Sequence, residues 1–185
     1  MQYIIVGIGG QGILFTSKIL GKIAIDKGLP VIGSEVHGMA QRGGSVISHF
    51  KVGNYKSPLI KPGNADVVVA FDQYEGIRNL SFLKEGGTFL VNTHEPGALE
   101  NEHLKKYISD RKIKTCSFAG IDILRTHMGG KLLFLNVLIT GAACGVKIEG
   151  FEEEQVICAL KELSPPQHVD ANLKVFGLGM QAASK

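Results

Sequence analysis

Cysteine is scarce in this 185-residue chain, and its three copies, Cys116, Cys144 and Cys158, lie far apart with no C-x-x-C pair. That pattern excludes a zinc ribbon, a cysteine-ligated iron–sulfur cluster and a thioredoxin-type redox pair. Each thiol falls in an apolar stretch, which predicts reduced core side chains and a reducing compartment. Charge is sparse as well: 20% of residues are charged and the net charge is +3, with Lys and Arg dispersed along the chain. No nucleic-acid partner follows from so small an excess. Long apolar runs are missing too. The most apolar one, LLFLNVLITGAACG (132–145), is too short for a bilayer and contains Asn136, so it reads as a buried helix. The opening MQYIIVGIGG has neither the basic start nor the long apolar core of a signal peptide. These absences predict a soluble cytoplasmic protein without a membrane partner. A 44% hydrophobic content is ample for one buried core, and residues 1–185 read as a single domain without internal repeats.

The pattern along the chain alternates strands with helices. Tyr3–Val6 is β-rich and ends at Gly7, and a helix is expected from Gln11 to about Lys27, stopped by Gly28. Val31–Val36 and Val46–Val52 read as the next strands. Only about eight residues separate them, fewer than the dozen or more that a parallel crossover needs, so this pair should be antiparallel. Asp66–Phe71 (DVVVAF) has the continuous apolar character of a strand buried on both faces. A helix around Glu75–Leu83 follows, with Glu85-Gly86-Gly87 as its stop, then a strand at Thr88–Val91, a helix at Leu99–Ile108 and a strand at Ile113–Phe118. Helices near 131–144, 152–163 and 171–183 close the chain, the last two parted by Pro165-Pro166. The expected fold is a three-layer α/β/α, Rossmann-like domain around a mixed, mostly parallel sheet.

Gly7-Ile8-Gly9-Gly10-Gln11-Gly12 fits G-x-G-x-x-G between the first strand and the first helix. Glycines there permit a tight turn, and the free N–H groups of a helix start can hold an anion. Glu35 lies where a dinucleotide fold places its ribose-binding acid. A lone fingerprint also has a purely structural reading, a turn that lets the helix pack close to the sheet. Both readings stand on the residues alone.

Residues 33–50 read GSEVHGMAQRGGSVISHF, a mixture that no ordinary surface loop requires. Function in an open α/β sheet collects beyond the carboxyl ends of its strands, so this segment and the glycine turn should be neighbours. Arg42 beside the Gly43-Gly44 amides offers a forked donor suited to a carboxylate or phosphate. His37 could donate or titrate, and Met39 suits a flat apolar contact. The bland alternatives are an Arg42–Glu35 pair that merely orders the loop, and a His37 that is simply a satisfied polar residue.

With GIGGQG followed by SEVHGMAQRGGSVISHFKVG, the chain resembles the gamma-type domain of the 2-oxoacid:ferredoxin oxidoreductases, and within that family the small beta subunit of the indolepyruvate type. E-x-H-G-M-A-Q-R-G-G matches Glu35 through Gly44. Softer similarities at ADVVVAFDQYEGIR (65–78), LNVLITGA (135–142) and NLKVFGLG (172–179) extend it over nearly the whole chain. The resemblance implies oxidative decarboxylation of an aryl 2-oxoacid to an acyl-CoA, with CoA as co-substrate. Thiamine diphosphate with magnesium carries the carbanion chemistry and iron–sulfur clusters pass electrons to ferredoxin, all in a large partner subunit. This sequence has no thiamine motif and no cluster cysteines, so it would not be active alone. The resemblance further implies that Glu35, His37, Met39, Gln41, Arg42, Gly43 and Gly44 face that partner near its active site. Gly7, Gly9, Gly10, Gln11 and Gly12 would support the same site or hold part of CoA.

Two rival readings remain: a freestanding NAD-dependent dehydrogenase and a nucleotide-sensing module without catalysis. Neither gives a reason for the 33–50 segment. Asp72 and Glu75 read as a solvated helix N-terminus, His94, Glu95 and His103 as surface residues near turns, and Glu152-Glu153-Glu154 as a dipole-stabilised helix start. His127 and His168 show no metal spacing.

Overall fold

The computed structural model describes residues 1–38, 40 and 43–183. Seven helices and six strands follow one another among them. The strands are β1 (Gln2–Ile8), β2 (Val31–His37), β3 (Ser45–Val52), β4 (Ala65–Ala70), β5 (Leu83–Asn92) and β6 (Lys114–Phe118). The helices are α1 (Ile13–Asp26), α2 (Gln73–Arg78), α3 (Glu102–Asp110), α4 (Gly120–Met128), α5 (Leu135–Gly145), α6 (Glu153–Leu163) and α7 (Val169–Ala183).

One sheet carries all six strands in the order β2-β3-β1-β4-β5-β6. β1, β4, β5 and β6 run parallel, while β3 is antiparallel to both β1 and β2. The short connection between β2 and β3 has the consequence expected of it: their pairing is antiparallel, and the sheet is mixed. β1 and β4 are buried between two helical layers, which is why their sequences are almost continuously apolar. Alternate residues face opposite cores. Tyr3, Ile5, Val67 and Val69 pack toward α1, α5, α6 and α7, whereas Ile4, Val6, Val68 and Ala70 pack with Leu80, Phe89 and Ile113. Each fully buried Val or Ile contributes about 1.5–3 kcal/mol.

On the first face α5 and α7 meet at backbone distance. A β-carbon on Gly179 would lie 2.0 Å from the Leu138 carbonyl oxygen, and one on Gly141 would lie 2.2 Å from that of Phe176. Only glycine allows that approach.

Several expected boundaries need correction. The helix expected at Glu75–Leu83 ends at Arg78 and is followed by a 3-10 turn at Leu80–Phe82. Glu85-Gly86-Gly87 is not a helix stop. It lies inside β5, where the pairing jumps from Ala65↔Leu83 to Val67↔Thr88 and the extra residues bulge, with Gly86 at φ 71°. Glycine tolerates that backbone, so the same dipeptide that marks a helix end can equally mark a bulge. Helix α4 had no counterpart in the expected pattern. Its ending in Gly129 and Gly130, both at positive φ, is the local signal for it. α3 begins at Glu102 rather than Leu99 because Asn101 caps it, accepting from the N–H groups of His103 and Leu104.

Candidate functional site

At the carboxyl edge of β1 the glycine motif becomes a turn closed by its own glutamine. Gln11 Oε1 accepts from the Ile8 N–H at 2.8 Å, and the Gln11 N–H donates to the Ile8 carbonyl at 3.1 Å. Gly7 has no room for a side chain, because a β-carbon would fall 2.5 Å from Gln11 Oε1 and 2.7 Å from Phe71 Cβ. Gly12 takes the left-handed conformation at φ 86°, and α1 starts there without a capping side chain. The Phe15 N–H turns back to the Gly12 carbonyl at 3.0 Å, and no side chain among the described residues caps the Ile13 and Leu14 N–H groups, which can therefore face an anion.

The second motif meets this turn as expected. Gly9 N–H donates to the Gly44 carbonyl at 2.8 Å, and Gly43 N–H approaches the Gly9 carbonyl at 3.5 Å. Gly38 N–H donates to the Ser45 carbonyl at 2.8 Å and ties the two ends of the connecting loop. Between the motifs opens a cleft of about 640 Å³. Gly9, Gly10 and Gly12 line one wall, Ile13 and Leu14 the floor along α1, and His37, Gly38, Ala40 and Val46 the other wall. Its size suits part of a drug-sized ligand. Ile13, Leu14, Ala40 and Val46 were not among the residues singled out from sequence, since apolar lining leaves no chemical signature there.

Met39, Gln41 and Arg42 lie outside the described residues. Glu35 does have a partner: His37 Nε2 stands 3.5 Å from its Oε2, and both side chains are solvent-exposed. The ribose-binding role for Glu35 meets a topological obstacle. β3 lies between β1 and β2, so Glu35 is two strands from the glycine turn, about 10 Å away across the sheet. It pairs with Ser48, which pairs with Ile5, three residues short of Ile8 and so roughly another 10 Å back from the carboxyl edge.

Asp72 and Glu75 correct the reading of a solvated helix start. Asp72 does cap α2, accepting from the N–H groups of Tyr74 and Glu75, but both carboxylates are buried. Tyr74 donates its hydroxyl to the Glu95 carboxylate, and that bond holds the phenol above its ordinary pKa. His94, exposed as expected, stands 3.8 Å from Asp72. His103 and His127 are exposed, and His168 packs edge-on against Phe134. Cys144 is buried and Cys116 half-buried, and burial raises both thiols; Cys158 departs from the expected core placement and is exposed. Among the described residues no three His, Cys, Asp or Glu side chains converge as a metal would need, and no helix is long and apolar enough to cross a membrane.

The glycine turn and the E-x-H-G segment are thus joined through an antiparallel strand inserted beside β1. The model of the pyruvate ferredoxin/flavodoxin oxidoreductase family matches residues 2–182. The chain belongs to that family. It is 33% identical over 191 residues to indolepyruvate oxidoreductase subunit IorB of Archaeoglobus fulgidus, covering 99% of this chain and 95% of that protein. Against the IorB subunit of Methanothermobacter thermautotrophicus the identity is 34% over 187 residues, covering 97% and 95%. Among solved structures, the gamma subunit of a keto/oxoacid ferredoxin oxidoreductase from Geobacter sulfurreducens superposes with a TM-score of 0.71 at 24% identity, covering 98% and 97% of the two chains. The 2-oxoglutarate:ferredoxin oxidoreductase of Magnetococcus marinus, solved with 2-oxoglutarate, coenzyme A and succinyl-CoA, gives 0.76 at 17% identity. There the match covers 99% of this chain but 31% of the other. These two likenesses speak for the fold. The full-length relatives bear out the expected small oxidoreductase subunit of the indolepyruvate type, and they support neither a freestanding dehydrogenase nor a nucleotide-sensing module.

Proposed function

We propose that residues 1–185 act as one gamma-type unit, the small subunit of an indolepyruvate-type 2-oxoacid:ferredoxin oxidoreductase in the cytoplasm. It completes the active site of a larger subunit for oxidative decarboxylation of an aryl 2-oxoacid to its acyl-CoA. Thiamine diphosphate with magnesium supplies the carbanion chemistry and iron–sulfur clusters pass electrons to ferredoxin, all within that larger subunit. The contribution of this chain is then binding and shaping.

The observation that carries the reading is the joining of the glycine turn and the Gly38–Gly44 loop into one cleft by the Gly9–Gly44 hydrogen bond. Uncapped amides at the start of α1 would offer an anion its backbone donors, and the Gly43-Gly44 backbone closes the loop onto the turn through Gly9. Arg42 adds a forked charge for the substrate carboxylate or a CoA phosphate. His37, Met39 and Gln41 shape the wall shared with the larger subunit, while Gly7, Gly10, Gln11 and Gly12 hold the turn in place.

Two measurements test this. An anaerobic affinity pull-down should bring down a larger chain with a thiamine motif and clustered cysteines; recovery of this chain alone would remove the subunit reading. Within the assembled enzyme, Arg42→Ala should lower turnover at least about tenfold, the loss of one charge-assisted hydrogen bond, with assembly intact. Unchanged kinetics would remove the anion role.

A further inference from the structure

Burying a carboxylate costs several kcal/mol unless its oxygens find partners. Glu75 is buried, and its two oxygens have different ones. Arg78 Nη1 donates to Oε1 at 2.6 Å and Ser45 Oγ donates to Oε2 at 2.6 Å. The arginine is the next turn of the same helix and is exposed. The serine is 30 residues away and is the first residue of β3, where the loop of the cleft ends.

Ser45 is the pivot of that loop. Its backbone pairs with Ile8 at the end of β1, its carbonyl receives the Gly38 N–H, and Gly44 just before it receives the Gly9 N–H. The post to which its hydroxyl is tied is rigid. Asp72 caps α2, the fully buried Gln73 accepts through Oε1 from the N–H groups of His94 and Glu95, and Gly76 is pressed against Ala70 and Phe89. A β-carbon at Gly76 would lie 2.6 Å from Ala70 Cβ, so α2 cannot shift toward the sheet. A hinge fixed to such a post holds Gly38 and Gly44 against the glycine turn before ligand arrives, which lowers the ordering cost of binding.

We infer that Glu75, through the Ser45 hydroxyl, is a positioning residue that fixes the exit hinge of the 38–44 loop and thereby sets the affinity of the cleft for its anionic ligand. This rests on the proposed role of that loop at the shared active site.

The test uses the assembled enzyme carrying Ser45→Ala, Ser45→Thr and Glu75→Gln. Hydrogen exchange is read on peptides covering 33–50, together with kcat and KM for the 2-oxoacid and for CoA and the thermal midpoint. Ser45→Ala should speed exchange in that segment and raise one of the two KM values about fivefold, the size expected for one lost hydrogen bond, with kcat little changed. Ser45→Thr keeps the hydroxyl and should restore both, and Glu75→Gln should fall between. Faster exchange with both KM values unchanged would uphold the hinge and overturn instead the placement of the loop at the active site. Unaltered exchange in Ser45→Ala, or a lowered midpoint as the only change, would overturn the positioning role.

Discussion

The side chain of Asn136 rests directly on the Cα of Gly12: a β-carbon on that glycine would lie 2.5 Å from Asn136 Nδ2 and 3.0 Å from Asn136 Cβ. The start of α5 is thereby packed onto the turn that opens α1. Parallel alignment of the two helices continues this contact one turn on, where Thr16 and Thr140 hydroxyls meet at 3.4 Å. The glycine turn is therefore held from behind by a helix as well as from within by Gln11.

Gly12→Ala should lower unfolding stability by about 3 kcal/mol, combining roughly 1–2 for a left-handed backbone with a clash of similar size. Urea denaturation of the purified chain measures it. Adding Asn136→Ala should recover part of the loss, because the nearest atom is removed while its Cβ stays. A Gly12→Ala protein as stable as the parent would contradict the packing described.

Much of this architecture is written in local sequence. β1, the glycine turn and α1 follow from an apolar run, a glycine cluster and helical spacing within 26 residues. The antiparallel β2–β3 pair follows from a connection too short for any alternative. What escaped reading depends on contacts between distant residues. Asn136 looked only like a polar interruption in an apolar helix, although its partner is Gly12. Ser45 carries no motif at all, and its tie to Glu75 exists only because β3 begins beside α2. Gly86-Gly87 reads as a helix stop in sequence, and the register of β4 and β5 makes it a bulge instead. Of the 33–50 loop, the sequence offered residue types and the expected nearness to the turn, which the Gly9–Gly44 hydrogen bond bears out, while Arg42 itself lies outside the described residues.

A buried histidine sets a pH limit. His49 accepts the Ile60 N–H on Nδ1 at 3.2 Å and packs edge-on against Phe82. Burial, with the Lys51 charge adding to it, lowers its pKa below the ordinary 6.5. The unfolded chain thus binds this proton at a higher pH than the folded one. Stability from this group is complete above about pH 6.5 and is lost as the pH falls from there toward the folded pKa. The thermal midpoint should therefore drop on acidification below about pH 6.5, and His49→Asn, which keeps an acceptor for Ile60, should flatten that slope even if it lowers the midpoint at pH 8. A variant with the parent's full slope would place the proton elsewhere.

The last prediction concerns the ligand that the glycine fingerprint invites most readily. A dinucleotide needs its phosphates on the turn and its ribose hydroxyls on an acid at the end of the neighbouring strand. Here β1 is flanked by the parallel β4, whose following acid Asp72 is buried as the cap of α2, and by the antiparallel β3, which begins with Ser45; Glu35 lies on β2 beyond β3, set back from the edge and facing His37. A ribose docked at the turn cannot reach it. Millimolar NAD should leave the thermal midpoint of the isolated chain unchanged, whereas bound ligand at one hundred times its Kd would add about 2.7 kcal/mol. A clear upward shift with NAD would show that the turn binds a dinucleotide without the acid, and the cleft would have to be assigned to that ligand instead of an anion shared with a larger subunit.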